Sequence, residues 1–376
     1  MTFCRRSHAA ATGRHRLRLV GQPIHVETWG YNRIRSTIKN EDLPSAHLNR
    51  EGLNLKLAVI GYGNVARALA RLIAAKRSEF PFYITGIHTA RHGTAIHPRG
   101  LPPEPRFGSA ASSVEDFLDA AQAEIAVELT TLNPVTGQPA IDHIRSAFAR
   151  GMHVVTANKG PIAHAYAELR DEAERRQLMF RFEATVMDGA PVFNQVRNNL
   201  PGVTVLGFSG VLNSTSKIVI ETMEQGGTFE EGLETARRMG VAEADASYDV
   251  EGWDSAAKTA ALANVLMDAR TNPLAVSTRG ITRLTPARVR DLKRSGKTVR
   301  LVSRAKRTAS GISLRVRGEV LHQTDILACV HGTSNLLLLH TDLMGTIGTV
   351  SLNPSVEQTA YGVFIDLVDV LRARTR

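Results

Sequence analysis

Residues 55–66 of this 376-residue chain read Leu55-Lys56-Leu57-Ala58-Val59-Ile60-Gly61-Tyr62-Gly63-Asn64-Val65-Ala66. The first six are mostly apolar and stop at a glycine, which is typical of a strand buried in a parallel sheet. The next six fit G-x-G-x-x-G/A, in which the first glycine permits a tight turn and the second lets backbone approach a pyrophosphate. Because this pattern follows a strand and opens a helix, it predicts a dinucleotide-binding site that uses Gly61, Gly63, Asn64, Val65 and Ala66.

The sequence beyond this loop keeps alternating between two kinds of segment. Strand-like apolar runs at 82–88, 125–129 and 153–156 are separated by segments with helical spacing of apolar residues. The Pro- and Gly-rich segment 93–108 is expected to be a loop. Such alternation predicts an α/β fold with a Rossmann-type doubly wound parallel sheet. Beyond about residue 186 the alternation loosens, which predicts a second domain of the α+β class.

The net charge of +10 and the pI near 9.9 suggest at first a nucleic-acid or anionic partner. Residues 1–50 carry a net charge of +6 and residues 283–307 a net charge of +9, so the remainder of the chain carries −5. The stretch 283–307 has no aromatic residue on which bases could stack. We therefore expect a solvated basic face on a helix and strand there, and no nucleic-acid partner.

The first 54 residues sustain neither a helical nor a strand period. We expect an unstructured tail or an over-long translated start, with a targeting segment as the alternative because only basic charges precede Glu27. No run approaches the roughly 18 apolar residues of a membrane span. Two cysteines, Cys4 and Cys329, cannot form a disulfide scaffold or a zinc site. A cytoplasmic location is the default expectation, and organelle targeting by the basic N-terminus stays open.

The end of the second strand bears on the choice of dinucleotide. Enzymes that use NAD usually place a carboxylate there to bind the ribose 2′-hydroxyl. Here the residues are His88-Thr89-Ala90-Arg91-His92, without a carboxylate. Arg91 could instead pair with a 2′-phosphate, so the sequence favours NADP and leaves NAD as the alternative.

A group of acids surrounds a lysine in the second half of the chain. Asp254 and Lys258 are four residues apart and share one face of a predicted helix. An exposed ion pair is the ordinary explanation for such spacing. Three further carboxylates just upstream, Glu243, Asp245 and Asp249, make that explanation weaker. Acids around one lysine suit a substrate with an ammonium group, with the lysine left to move a proton.

The same segments carry a family likeness. Residues 208–215 and 240–258, the turn at 156–159, residues 183–186, and Thr359, Ala360, Val363 and Asp366 near the C-terminus all contribute to it. In these motifs the chain, from about residue 55 onward, resembles the homoserine dehydrogenase family. The resemblance implies NAD(P)-dependent interconversion of L-homoserine and L-aspartate 4-semialdehyde. A related dehydrogenase of another amino-alcohol and a non-catalytic cofactor-binding regulator remain as alternatives.

The resemblance also implies roles for individual residues. Lys258 would donate the proton to the carbonyl oxygen, and Lys159, between cofactor and substrate, would stabilise the developing alkoxide. Glu243 and Asp254 would bind the amino end of the substrate, supported by Asp249. The junction of the cofactor and substrate sites would be lined by Gly240, Thr130 and Thr215.

Three further expectations follow from the resemblance. A sodium ion would lie near Glu183, Val186, Asp188 and Ala190, held largely by carbonyl groups. A homodimer would form through the second domain. The implied division is a dinucleotide-binding domain at 55–185, a catalytic and dimerisation domain at 186–345, and a segment at 346–376 that returns to the first domain. The chain departs from the family pattern at Ser214 and Lys217, where glycine and asparagine are usual.

Overall fold

A computed structural model describes residues 16–19, 22–25, 54–242 and 245–374. Two short strands, Arg16–Leu19 (β1) and Gln22–His25 (β2), pair antiparallel within the predicted N-terminal extension. The remainder of the prediction for residues 1–53 lies outside the described residues.

The first domain is a six-stranded sheet with helices on both faces. Its strands are Leu55–Ile60 (β3), Phe82–Thr89 (β4), Gly93–Ile96 (β5), Ile125–Glu128 (β6), His153–Thr156 (β7) and Phe180–Arg181 (β8). Its helices are Asn64–Lys76 (α1), Val114–Ala121 (α2), Ala140–Ala149 (α3) and Lys159–Arg175 (α4). The strand order is β5-β4-β3-β6-β7-β8, parallel throughout except for β5. This order confirms the predicted Rossmann-type sheet.

Strand β3 shows why both faces are covered. Leu57 and Val59 lie in one core cluster with α1, whereas Ala58 and Ile60 lie in the cluster formed with α2, α3 and α4. Alternate residues of a strand point to opposite faces, so an uninterrupted apolar run requires helices on both sides. The segment 93–108 was expected to be a loop throughout. That expectation is wrong at β5, whose residues pair antiparallel with the end of β4 in a tight hairpin.

The second domain is a mostly antiparallel sheet with helices on one side. Its strands are Val205–Val211 (β9), Ser277–Arg279 (β10), Lys297–Thr308 (β11), Gly311–His322 (β12), Asn335–Thr341 (β13) and Thr346–Ser351 (β14), in the order β10-β12-β11-β9-β13-β14. Its helices are Ser214–Glu224 (α5), Phe229–Arg238 (α6), Ser247–Val250 (α7), Trp253–Met267 (α8) and Pro286–Arg294 (α9). This architecture confirms the predicted α+β class.

The basic stretch 283–307 occupies α9 and β11. Most of its charged side chains are exposed, as expected, but the prediction is wrong at Arg300, which is only 1% exposed. Its guanidinium lies 3.5 Å from Glu221 and 3.7 Å from Glu224 and donates to the hydroxyl of Thr298. Because β11 is an interior strand of the sheet, a basic residue that is buried there needs acids close by as partners.

The C-terminal helix, Val356–Arg374 (α10), returns to the first domain and packs against β3 and α1. The preceding strand β14 pairs with β13 in the second sheet. The predicted boundary at residue 346 therefore falls inside the second sheet, and the return begins with α10. Within the described residues, no helix has both the length and the apolar composition that crossing a bilayer requires.

Aromatic packing fixes α10 to the first sheet, and truncating it should lower the free energy of unfolding. Phe364 is 4% exposed, and its ring centroid lies 5.3 Å from that of Phe80 and 5.7 Å from that of Phe82. We expect Phe364→Ala to cost about 3–5 kcal/mol because it removes buried surface and leaves a cavity. Urea unfolding measures this change. Tyr361→Ala, on the same helix but 51% exposed, is the control and should cost about 1 kcal/mol or less.

Candidate active site

The glycine loop joins β3 to α1 at the carboxyl edge of the first sheet. Gly61 has φ +90°, and a Cβ at this position would lie 2.6 Å from the carbonyl oxygen of Leu129. Only glycine fits such a turn without moving the neighbouring backbone. Gly63 precedes α1, and a Cβ there would meet no protein atom within 4 Å. The second glycine thus leaves open space in front of the helix N-terminus, where a phosphate is favoured.

A cleft of about 540 Å³ opens beside this loop and receives several of the predicted cofactor residues. Gly61, Gly63, Arg91 and Thr130 all line it. Arg91 is exposed in the hairpin turn between β4 and β5. The first turn of α1 holds Asn64, Val65 and Ala66, of which Ala66 is buried against the sheet. The residues that line this cleft therefore fit a dinucleotide.

Glu128 is a buried residue behind Thr130 of the cleft lining, and the sequence analysis missed it. It ends β6 and is 1% exposed, and its carboxylate accepts hydrogen bonds from the backbone N–H and hydroxyl of Thr130 and from the hydroxyl of Thr156. His143 Nδ1 lies 3.8 Å away. Glu128 therefore fixes the orientation of Thr130. The sequence did contain an indication of this residue, because Glu128 is a single acid at the end of an otherwise apolar strand.

A shared carboxylate stands at the centre of the second site. The Nζ of Lys159, at the start of α4, lies 2.9 Å from Asp254 Oδ1, and the Nζ of Lys258 lies 3.1 Å from Asp254 Oδ2. Lys258 also donates to the carbonyl oxygen of Leu212 at 2.7 Å. The structure thus brings both predicted catalytic lysines onto one acid, although Lys159 and Asp254 belong to different domains.

Asn213 is a second residue whose role the sequence analysis missed. It precedes α5 and caps that helix by accepting the N–H of Ser216. Its amide Nδ2 donates to Asp249 at 2.7 Å and to Asp254 at 3.1 Å, and Thr215 donates its hydroxyl to the other oxygen of Asp249. Asn213 thereby joins two carboxylates that repel one another. Its position in the 208–215 motif indicated that the residue matters to the family, but the motif did not predict which groups Asn213 contacts.

Charge and burial act in opposite directions on these groups. Burial alone would raise the pKa of Asp254, but the adjacent Lys159 and Lys258 outweigh it and hold that pKa well below its usual range. Burial alone would lower the pKa of Lys258, but Asp254 and more distantly Asp188 raise it. Burial and the charge of Asp254 raise the pKa of Asp249. The arrangement favours the protonated, charged form of Lys258.

The remaining predicted substrate and cofactor residues are placed less fully. Glu243 lies outside the described residues. Gly240 follows α6 with φ +69°, is exposed, and is not among the residues that line the cleft beside the glycine loop. Its predicted position at the junction of the two sites stays a prediction.

The predicted cation residues lie between residues 183 and 190, in the segment that follows β8. The carboxylate of Glu183 accepts backbone N–H groups of Val192, Phe193 and Asn194 at 2.6–2.9 Å. Asp188 accepts from the side chain of Asn335. No group of three or more His, Cys, Asp or Glu side chains among the described residues is arranged to hold a metal ion. A cation near Val186 and Ala190 would therefore rely on main-chain carbonyls.

Comparison with known proteins shows what these two sites belong to. The family model for homoserine dehydrogenase matches residues 191–368, and that for the NAD binding domain of homoserine dehydrogenase matches residues 61–183. A relative from Pseudomonas canavaninivorans, named NAD(+)-dependent homoserine dehydrogenase, is 34% identical over 85% of this chain and 97% of its own length. The chain belongs to the homoserine dehydrogenase family.

Other members of the homoserine dehydrogenase family agree in extent and fold. The homoserine dehydrogenase of Methanocaldococcus jannaschii is 31% identical over 84% of this chain and 98% of its own length. The crystal structure of a homoserine dehydrogenase from Thiobacillus denitrificans superimposes with a TM-score of 0.73 at 28% identity, covering 85% of this chain and 74% of that one. The NAD binding domain indicates a nicotinamide cofactor.

The two glycines of the loop should respond differently to alanine. We expect Gly61→Ala to lower the free energy of unfolding by about 2 kcal/mol or more, because it combines a positive φ with a backbone clash. Gly63→Ala should cost about 1 kcal/mol or less, yet weaken dinucleotide binding roughly tenfold or more by filling the approach to the phosphates. Urea unfolding and fluorescence titration with NADPH and NADH measure the two effects.

Gly151→Ala is the control for backbone strain alone. Gly151 has φ +70° after α3, and a Cβ there meets no atom within 4 Å. This variant should lose some stability and keep its dinucleotide affinity. Unchanged affinity in Gly63→Ala would contradict the assignment of the glycine loop.

Proposed function

We propose that this chain catalyses the NAD(P)-dependent interconversion of L-homoserine and L-aspartate 4-semialdehyde. The observation that carries the proposal is the pair of lysines, Lys159 and Lys258, held on the single, partly buried carboxylate of Asp254. Their domains carry the two family matches, one for each half of a homoserine dehydrogenase. A regulator without catalysis would have no need of a charged lysine in a desolvated cluster.

Lys258 is the proton donor in this proposal. Its ammonium group is oriented by Asp254 and the carbonyl of Leu212, which leaves one of its three N–H donors for a substrate oxygen. In the reducing direction it gives a proton to the carbonyl oxygen of the semialdehyde, and in the oxidising direction its neutral amine takes the proton of the hydroxyl. Lys159 contributes a second positive charge that stabilises the alkoxide character of the same oxygen.

The carboxylates serve the amino end of the substrate. Asp249, which Asn213 and Thr215 hold in place, lies beside Asp254, so two acids face the same region. An ammonium group entering this region would replace part of their mutual repulsion with attraction. Glu243 is proposed as a third acid from the resemblance.

The cofactor is proposed to bind in the cleft beside the glycine loop. Gly61 and Gly63 shape the turn, the N-terminus of α1 would face the pyrophosphate, and Thr130 lines the cleft. A bound nicotinamide dinucleotide would exchange hydride with the substrate carbon. Sodium near Glu183, Val186, Asp188 and Ala190, and a homodimer through the second domain, stay predictions.

The test of the proposed function is a spectrophotometric assay at 340 nm with NADPH and NADH and with both substrates. Wild-type protein should oxidise NADPH or NADH only when aspartate semialdehyde is present. Lys258→Ala should lose about 10²–10⁴-fold in kcat and keep its nucleotide affinity, because the proton is transferred mainly in the transition state. Lys76→Ala, at an exposed lysine paired with Glu79, is the control and should keep full activity.

Two outcomes of this assay would redirect the proposal. Turnover with another amino-alcohol but not with L-homoserine would favour the related dehydrogenase, an alternative motivated by the departures at Ser214 and Lys217. Absence of turnover with every pair of substrate and cofactor would favour the non-catalytic regulator.

NADP is proposed as the preferred cofactor because Arg91 lines the cleft where a 2′-phosphate would lie. We expect Arg91→Ala to raise the dissociation constant of NADP+ by about 10–100-fold, since it removes a charge-assisted hydrogen bond, and that of NAD+ by about twofold or less. Isothermal titration measures both constants. Arg99→Ala, on the exposed loop after β5, is the matched control. Equal losses of affinity for both nucleotides would contradict this role of Arg91. A preference of the wild-type protein for NAD+ would contradict it as well. The relative from Pseudomonas canavaninivorans is named as an NAD(+)-dependent enzyme.

A further inference from the structure

A second lysine of the catalytic domain is completely buried beside the proposed active site. Lys217 lies on the first turns of α5 and its side chain is 0% exposed. Its Nζ donates to the carbonyl oxygen of Asn213 at 3.1 Å. The Nζ of Lys258 donates to the carbonyl of Leu212, the residue before Asn213. Two lysines from different helices thus bind successive carbonyls at the junction of β9 and α5.

Two acids of this region are already paired with other cations, and a third, Asp188, accepts a hydrogen bond from the side chain of Asn335. Asp254 binds Lys159 and Lys258, and Glu221, one turn further along α5, lies 3.5 Å from Arg300 and 3.0 Å from His331. Among the described residues, Lys217 takes part in none of the ion pairs. A third ammonium group here would add positive charge to a site that already holds two lysines on one carboxylate.

The charged groups that act on Lys217 come from four parts of the fold. They are Lys258 on α8, Glu221 on α5, Arg300 on β11 and Asp188 on the turn after β8. Burial, followed by the charge of Lys258, lowers the pKa of Lys217 to about 7. Two interacting groups of this kind lose their protons in steps that belong to the pair, and near neutral pH the pair loses its first proton.

We propose that Lys217 is a positioning residue for the proton transfer at Lys258, an inference that rests on the proposed function. The amino groups of Lys217 and Lys258 hold one positive charge between them near neutral pH. When Lys217 carries that charge, Lys258 is a neutral amine and can take the proton of a substrate hydroxyl. The O–H bond breaks and an N–H bond forms on Lys258, while the hydride leaves the same substrate to the cofactor, as in the proposed function.

The direction of the effect on pH dependence follows from this pairing. Oxidation of the alcohol requires neutral Lys258, so its rate falls on the acidic side of the profile. Without Lys217, Asp254 and Asp188 still favour the charged form of Lys258, and one positive charge that repels it is gone. Removing Lys217 should therefore move the acidic limb of oxidation to higher pH.

The experiment measures kcat/KM for L-homoserine oxidation from pH 6 to 10 in wild type, Lys217→Met and Lys217→Gln. Both variants remove the titrating amine, and glutamine keeps a donor for the carbonyl of Asn213. We expect the midpoint of the acidic limb to rise by about one pH unit or more in both variants. Lys76→Met, at an exposed lysine, is the matched control and should leave the midpoint unchanged.

A second readout does not depend on activity. A lysine whose pKa is near 7 when folded and about 10.4 when unfolded binds more protons in the unfolded state between these values. The free energy of unfolding of the wild type should therefore rise with pH across that window, relative to Lys217→Met. Urea unfolding at pH 7, 8.5 and 10 measures this difference.

The outcomes separate this inference from the proposed function. An acidic limb that stays in place in both variants would show that Lys217 only fills space beneath the site. A flat difference in unfolding free energy between pH 7 and 10 would also overturn the inference, because Lys217 would then not titrate there. If the wild type does not oxidise L-homoserine at any pH, the proposed function fails, while the unfolding comparison still reports on Lys217.

Discussion

The charged site between the two domains depends on one partly buried carboxylate. Asp254 lies near the start of α8 in the second domain, and Lys159 opens α4 in the first, so their contact crosses from one sheet to the other. A buried carboxylate with no partner would carry a large desolvation cost, and two lysines at about 3 Å offset it. The ion pairs therefore join the two domains at the point where cofactor and substrate are proposed to meet.

The junction between β9 and α5 supplies most of the hydrogen bonds to the charged groups of this region. In two consecutive residues, Leu212 and Asn213, the backbone supplies carbonyls for two lysines, while the side chain of Asn213 supplies a helix cap and an amide for two acids. Here the strand has ended, and only part of the backbone hydrogen-bonding capacity is used by secondary structure. The unused groups satisfy buried charges that would otherwise be unpaired. Asn213 is thus as central to the site as the charged residues are.

The proposed cofactor site is also built from residues at the ends of strands, at the carboxyl edge of the first sheet. Gly61 makes the turn possible, and Glu128, at the end of the neighbouring strand β6, fixes Thr130 opposite it. Parallel strands deliver their carboxyl ends to one edge, so residues far apart in the chain line one cleft. Helix α10 packs on the face of the sheet that α1 also covers, and its aromatic residues contact β3 and β4.

Local patterns in the sequence were enough for the glycine loop, the alternation of strands and helices, and the pairing of Asp254 with Lys258. Each depends on residues within about 12 positions of one another, so backbone geometry alone places them. The contact of Lys159 with Asp254, the buried Arg300 and the buried Lys217 join segments that are remote in sequence. From sequence alone a basic residue is predicted to be exposed. Whether it is buried, and which charges compensate it, is set by the packing of distant elements. The sequence therefore determined the elements and the residue types of the site, and tertiary packing decided which charges meet and which amines lose their solvent.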